Sequence, residues 1–321
     1  METDLLQQIQ EKSLLIDWSN KEINISTPVV IHFPVPSNHP RYSKIKSYRL
    51  IVMKIKNYPL SETDLIICDE QLKQYLPEKV ANFPHIIFIE AVEYKTKIMS
   101  EVSMLQKTIS DKNYKRIVAI GGGIIANIAS FLAEKIHIDL VHVPTTPISM
   151  SDASIGGKVR VNDIQGNIFV KHVYKSFYEP SEIILDAQFL NHLSDEQIRI
   201  GLAEVIKHAL YQSPLLIQYI LSDIFQPFTN KDSLLRAILW TADLKRICLE
   251  VDPEESLNGS YKILRAAHDI SDKLEEQSGF MLQHGMAVEK AMTEDIKSDI
   301  EKSELLVKIY QKLGIDSPAS N

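Results

Sequence analysis

The spacing of apolar residues changes about halfway along the chain. In the first half, short runs rich in β-branched residues recur between polar or turn-forming stretches. They are Thr27–Phe33, Tyr48–Lys54, Asp64–Cys68, His85–Glu90, Arg116–Ile120, Leu140–Val143 and Glu182–Leu185. Runs of this length and composition predict strands. Helical spacing fills several intervals, such as Glu70–Val80 and Ile98–Ser110. Apolar strands alternating with helices predict a parallel or mixed sheet covered on both faces. Beyond Asp186 the spacing turns helical throughout, over Ser194–Tyr211, Asp232–Glu250, Tyr261–Gln277, Gly285–Ser303 and Leu305–Leu313. The expected architecture is an α/β N-terminal lobe, residues 1–183, followed by an all-α C-terminal lobe, residues 184–321. A cleft between two such lobes is a common place for chemistry.

One strand runs straight into Gly121-Gly122-Gly123, and helical spacing resumes from Ile124 to Ala133. Strand, glycine turn and helix bring backbone N–H groups up to a phosphate. The turn therefore fits a nucleotide cofactor, although a tight strand-to-helix connection needs the same residues.

Composition narrows the class. The 321 residues are 45% hydrophobic, ample for a core, and the net charge is −7 with no basic tract. That argues against nucleic acid as a partner. Cys68 and Cys248 are too few for a disulfide framework and read as buried thiols. The start METDLLQQIQEK lacks a signal peptide's basic and apolar regions. No apolar run approaches the ~20 residues of a membrane span. A soluble, cytoplasmic enzyme is the expectation.

Three segments carry candidate chemistry. In Gly201-Leu202-Ala203-Glu204-Val205-Ile206-Lys207-His208, Glu204 and Lys207 are three apart and share a helix face. A surface ion pair has the same spacing. His268, in LRAAHDISDKLEE, and His284, in MLQHGMAVEKAM, could join Glu204. Two imidazoles and a carboxylate form a three-ligand metal site with one position left open. A lone helical histidine is nevertheless more often a core or surface residue. The stretch Val143–Lys158 follows a strand end, where open α/β sheets bind ligands. It offers Thr145, Thr146, Asp152, Gly156-Gly157 and Lys158, a set suited to a polyhydroxylated ligand, or simply to a capped polar loop.

Taken together, GGGIIANIASF, VPTTPISMSDASIGGK, FYEPSEIILD, GLAEVIKHAL and LQHGMAVEKAM resemble the 3-dehydroquinate synthase family of sugar phosphate cyclases, in family order and spacing. The resemblance is good over about residues 93–290. It implies a Rossmann-like N-terminal lobe, a helical C-terminal lobe and usually a homodimer. It implies NAD on Gly121, Gly122 and Gly123, with Asn127, Thr145 and Thr146 nearby. Asp69, Lys95 and Lys171 fall at or near further cofactor positions. It implies Zn2+, or Co2+, on Glu204, His268 and His284. Lys158, Lys207, Lys245 and Asp152 match substrate-handling positions. In the implied reaction NAD oxidises a ring hydroxyl, which acidifies the adjacent C–H and lets phosphate leave. Re-reduction, ring opening and an intramolecular aldol step then close a carbocycle. The metal would polarise substrate oxygens and the lysines would steady anionic charge.

Departures from the family pattern cluster on the phosphate side. Where the family carries a second histidine after the metal histidine, the chain has Ala267-His268-Asp269-Ile270-Ser271-Asp272. The second histidine becomes Asp272, and a carboxylate there repels phosphate unless protonated or paired. The preceding asparagine becomes Arg265, which could contact an anion. The arginine lent by a neighbouring subunit aligns with Ile136. The family's Gly-Lys-Asn falls on Gly166-Asn167-Ile168, or on Val170-Lys171-His172 after an insertion. The family's C-terminal helices and their phosphate-binding lysine are not expected here. The foremost expectation is a cyclase acting on a small phosphorylated sugar or related polyol other than the usual heptulosonate phosphate. A genuine 3-dehydroquinate synthase, a non-catalytic homologue in a hetero-oligomer, and a metal-dependent polyol dehydrogenase are the alternatives.

Overall fold

The apolar runs of the first half form the strands of the main sheet. The computed structural model describes residues 4–23, 28–35 and 46–315. Helix α1 is Leu5–Ser13, and β1 (Val30–Pro34) pairs antiparallel with β2 (Ser47–Val52). Thr27, where the first strand was expected to begin, lies outside the described residues. There follow β3 (Asp64–Asp69), the single-turn α2 (Glu78–Ala81), β4 (Ile86–Ile89), α3 (Met99–Ser110) and β5 (Arg116–Gly121). Next come α4 (Gly123–Ile136), β6 (Asp139–Pro144), the hairpin β7 (Lys158–Gln165) and β8 (Ile168–Phe177), and β9 (Glu182–Leu185). The main sheet runs β1-β2-β9-β6-β5-β3-β4, parallel throughout except for β1. Leu65, Ile67, Ile117 and Ala119 of its centre pack against Ile125, Ala129 and Leu132 of α4. A bidentate ion pair from Arg116 to buried Asp64, at 3.0 and 2.6 Å, ties β5 to β3.

The later chain is helical: α5 (Asp195–Gln212), α6 (Pro214–Leu221), α7 (Lys231–Val251), α8 (Tyr261–Leu264), α9 (His268–Gln277), α10 (His284–Asp295) and α11 (Ile300–Leu313). Among the described residues no helix is long and apolar enough to cross a membrane. The chain forms two units, Ile23–His192 and Met1–Glu22 with Leu193–Asn321. The division expected at 183/184 falls inside β9, whose sheet pairing keeps it in the α/β unit. Helix α1 packs with the helical unit instead. Ile9 joins Ile247, Cys248, Ile263 and Leu264, while Trp18 Nε1 donates to Asp243 at 3.0 Å.

Several expected helices are shorter or split, for local reasons. Glu70–Val80 gives only a 3-10 turn and α2, because Pro77 holds Leu76 and itself in extended backbone. Tyr261–Gln277 splits into α8 and α9 at Ala267, which takes a left-handed φ of 62°. Gly285–Ser303 stops at Asp295, and Asp299 caps α11 through the Lys302 amide. Neither α6 nor the β7–β8 hairpin was among the expected elements.

His142 sits inside the sheet on β6, with Nε2 3.1 Å from Ser130 Oγ and Nδ1 3.2 Å from the Ser154 carbonyl. Burial drives its pKa down to about 4, from an ordinary 6.5. The unfolded chain therefore takes up a proton near pH 6.5, and the folded chain only near pH 4. Unfolding free energy from this group is complete above the higher value and falls as pH drops between the two. Lowering the pH to about 5 should cost the native chain about 2 kcal/mol more than it costs His142→Gln. Urea unfolding of both at neutral and acid pH measures this. Equal losses would remove His142 as the source.

Candidate metal centre

Helix α5 begins at a capping box, in which Ser194 and Gln197 exchange side-chain and backbone hydrogen bonds. From Gly201 to Leu210 every residue of α5 is buried. Glu204 and Lys207 therefore face protein on all sides, each 1% exposed, and are no surface ion pair. Lys207 Nζ lies 2.5 Å from Glu204 Oε2 and donates to the Leu264 carbonyl at 3.0 Å. Neither Glu204 carboxylate oxygen has a hydrogen-bond partner in good geometry. A buried carboxylate without such partners is costly to keep, and a metal ion satisfies it directly.

The two histidines open helices that converge on this carboxylate. Left-handed Ala267 turns the chain sharply, so that His268 becomes the first residue of α9. An alanine in that conformation costs about 1 kcal/mol. His268 Nδ1 lies 3.0 Å from the Ala266 carbonyl, so it carries the proton and Nε2 keeps its lone pair. Burial, then the charges of Lys207 and His284, hold the His268 imidazole well below its usual range and therefore neutral. His284 opens α10, and its Nδ1 lies 2.7 Å from Oε1 of buried Glu275 on α9. The bond directs Nε2 the other way, as in carboxylate–histidine–metal arrangements. One ligand atom each from Glu204, His268 and His284 lies within 4.8 Å of the others. Two imidazole nitrogens and one carboxylate oxygen suit zinc or a similar divalent ion, with a coordination position to spare.

Gly285 sets the distance between α10 and α5. A Cβ there would lie 2.2 Å from the Ile200 carbonyl oxygen, one turn before Glu204. Arg199 of α5 clamps the same contact through two bonds to Glu289 of α10, at 3.0 and 2.7 Å. Lys245, on α7, is buried in the same unit. Arg265 and Asp272 meet each other: the guanidinium lies 3.0 Å from Asp272 and 3.2 Å from Asp269. Ile136 is the last residue of α4 and packs against the α/β core.

The glycine turn lies in the α/β unit. Gly121 ends β5, and extended Gly122 precedes α4 without a side-chain cap. A Cβ on Gly122 would lie 3.3 Å from Thr146 Cγ2, and one on Gly123 3.3 Å from Ala153. The turn thus presents bare backbone beside Thr146, a cradle that suits a phosphate group. Thr145 donates its amide to the Gly121 carbonyl at 3.1 Å. Asn127 ties α4 to β7, donating to the Gly123 carbonyl and accepting from the Arg160 amide. Asp152 lies in the helical turn Ser149–Ala153, and Lys158 opens β7 after Gly156 and Gly157, both at positive φ. Asp69 ends β3 and caps the following turn, with burial raising its pKa.

Lys95 is exposed and ion-paired with Glu90 at 2.5 Å. The buried lysine of that segment is Lys97, 2.5 Å from Glu93, which also accepts from Asn162 at 2.9 Å. The sequence reading missed this pair, although its i,i+4 spacing was a signal. Lys171 lies on β8 beside His172, whose φ is 55° and whose amide donates to Asn162. Asparagine and histidine are both enriched in that conformation.

Comparison with known proteins agrees with these motifs. Residues 86–200 match the 3-dehydroquinate synthase N-terminal model, and residues 201–313 the 3-dehydroquinate synthase C-terminal model. A 3-dehydroquinate synthase of Saccharolobus solfataricus is 32% identical over 78% of this chain and 69% of its own length. Two other relatives of that name are matched over 55% of their length. Among solved structures, 2-epi-5-epi-valiolone synthase from Streptomyces hygroscopicus, with NAD+ and Zn2+ bound, superposes with a TM-score of 0.73. It is 22% identical, over 87% of this chain and 84% of that one. A 2-deoxy-scyllo-inosose synthase complexed with carbaglucose-6-phosphate, NAD+ and Co2+ gives a TM-score of 0.68 at 20% identity, covering 91% and 84%. These two share the fold. With both halves of the family pattern matched in order, the chain belongs to the 3-dehydroquinate synthase family.

Proposed function

We propose that the chain is an NAD- and metal-dependent sugar phosphate cyclase, a carbon–oxygen lyase that closes a carbocycle. The convergence of Glu204, His268 and His284 carries this reading. The bound groups of the two solved cyclases, NAD+ with Zn2+ or Co2+, and the carbaglucose-6-phosphate of one, support it. In this reading the triad holds the divalent ion. Gly121, Gly122 and Gly123 hold NAD, with Asn127, Thr145, Thr146, Asp69, Lys95 and Lys171 as the candidate surrounding contacts. When bound, NAD supplies a reversible hydride acceptor and the ion a Lewis acid. Lys207 offers a buried ammonium beside the triad, suited to steadying enolate charge. Lys245, Lys158 and Asp152 are the candidate groups for orienting substrate hydroxyls and phosphate. We take the enzyme to be cytoplasmic and, as the resemblance implies, a homodimer.

The substrate is proposed to be a small phosphorylated sugar or related polyol other than the usual heptulosonate phosphate, because Arg265 and Asp272 pair with each other. The name of the archaeal relative favours a second reading, an ordinary 3-dehydroquinate synthase. Turnover of the heptulosonate phosphate with release of phosphate would establish the second reading and displace the first.

Zinc content measured by mass spectrometry tests the triad. Glu204→Gln should abolish stoichiometric zinc and, by leaving Lys207 uncompensated, lower stability by about 3 kcal/mol. Glu204→Asp keeps the charge and withdraws the oxygen by one methylene. It should weaken zinc about 10-fold or more with the helical circular dichroism unchanged. Zinc affinity equal to that of the native chain in both variants overturns the assignment. Gly285→Ala should push α10 off α5, costing about 1–3 kcal/mol and loosening zinc together. Gly122→Val should prevent NAD from co-purifying, because its branches would meet Thr146. NAD retained at the native ratio would place the cofactor elsewhere.

A further inference from the structure

Arg265 stands three residues before His268, and its charge is among those that depress the His268 imidazole. Its guanidinium bridges two carboxylates of α9, Asp272 at 3.0 Å and Asp269 at 3.2 Å. Asp272 lies one helical turn beyond His268, on the same side of α9. The three charges sum to −1, and Arg265 has both acids as standing partners. The side chains of Asp269 and Asp272 are exposed, at 73% and 52%, whereas Arg265 is 31% exposed. The carboxylates therefore form the outer layer of this flank, with the guanidinium behind them. A phosphate dianion approaching here meets two negative groups before the positive one. An uncharged hydroxyl-bearing group meets two strong acceptors instead.

We propose that Asp272, with Asp269, is a specificity determinant that makes this flank of the triad reject phosphate and accept the uncharged polyol end of the ligand. The proposal rests on the metal-site reading above for its place in the reaction. Its electrostatics stand on Arg265, Asp269 and Asp272, with the Tyr261 side chain as a further partner of the guanidinium. Any phosphate on the substrate then lies away from Arg265, and elimination at this flank gains no help from the guanidinium.

The test measures inorganic phosphate binding to the full metal-free chain by calorimetry, so that phosphate on the metal does not contribute. Asp269→Asn with Asp272→Asn should bind phosphate about 10-fold or more tightly than the native chain, since one tenfold step needs only about 1.4 kcal/mol. Asp272→Asn alone should give a smaller gain in the same direction. Adding Arg265→Met to the double variant should abolish the gain. Native binding as tight as that of the double variant overturns the proposal, as does a gain that survives loss of Arg265. Zinc loading of the same proteins is measured separately. Failure to hold zinc would count against the metal site and leave the phosphate comparison to decide this flank.

Discussion

The close approach of α10 to α5 governs the rest of the helical unit. Gly285 has no Cβ, so the start of α10 rests on the Ile200 carbonyl. A helix-to-helix contact this tight fixes both axes and the rotation of each helix. Glu204 follows Ile200 by one turn, and His284 precedes Gly285 by one residue, so the contact sets their mutual distance. Arg199 with Glu289 secures the same pair of helices, and Tyr211 bonds Asp295 near their far ends. Helix α9 supplies His268 and also Glu275, the group that orients His284. Two of the three ligands thus depend on one short helix, and any tilt of α9 disturbs both.

Burying Glu204 and Lys207 together is a costly choice for stability alone. Well-packed apolar residues would serve the core as well or better. Their retention inside a helix whose neighbours are almost all apolar is what a functional requirement looks like in packing terms. The Leu264 carbonyl gives Lys207 a neutral anchor, which leaves Glu204 with its oxygens still lacking good hydrogen bonds. Structure and chemistry therefore disagree at this carboxylate.

Much of the fold was readable because its signals are local. Strand β5, the three glycines and α4 lie in one uninterrupted stretch, and strands β3, β4, β6 and β9 were all visible as apolar runs. The breaks were harder. Pro77 announces itself, but Ala267 does not, since nothing about alanine favours a left-handed backbone. The β7–β8 hairpin carries Gly166-Asn167 between alternating residues, a recognisable two-residue turn, yet its faces are only partly buried and its apolar pattern is weak. The metal triad was readable in residue type and unreadable in convergence. Its members lie on three helices far apart in sequence, and only packing brings them together. Arg265 and Asp272 were each visible as departures from the family pattern. Their pairing was not, because it depends on where the turn at Ala267 aims α9.

Helix α1 gives the helical unit an unusual relation to the order of synthesis. Its residues are made before the α/β unit and the later helices, yet the partners of Ile9, Ser13 and Trp18 lie on α5, α7 and α8. The opening segment must wait, unpaired, while the whole α/β unit is made and folds. The backbone accordingly passes between the units twice, and one proteolytic nick cannot release either as a complete piece. An attempt to express the helical unit from Leu193 onward would omit α1 and expose the apolar floor beneath Leu264. Helix α1 acts as a closing latch, set last, on the side of the unit that holds the acceptor for Lys207.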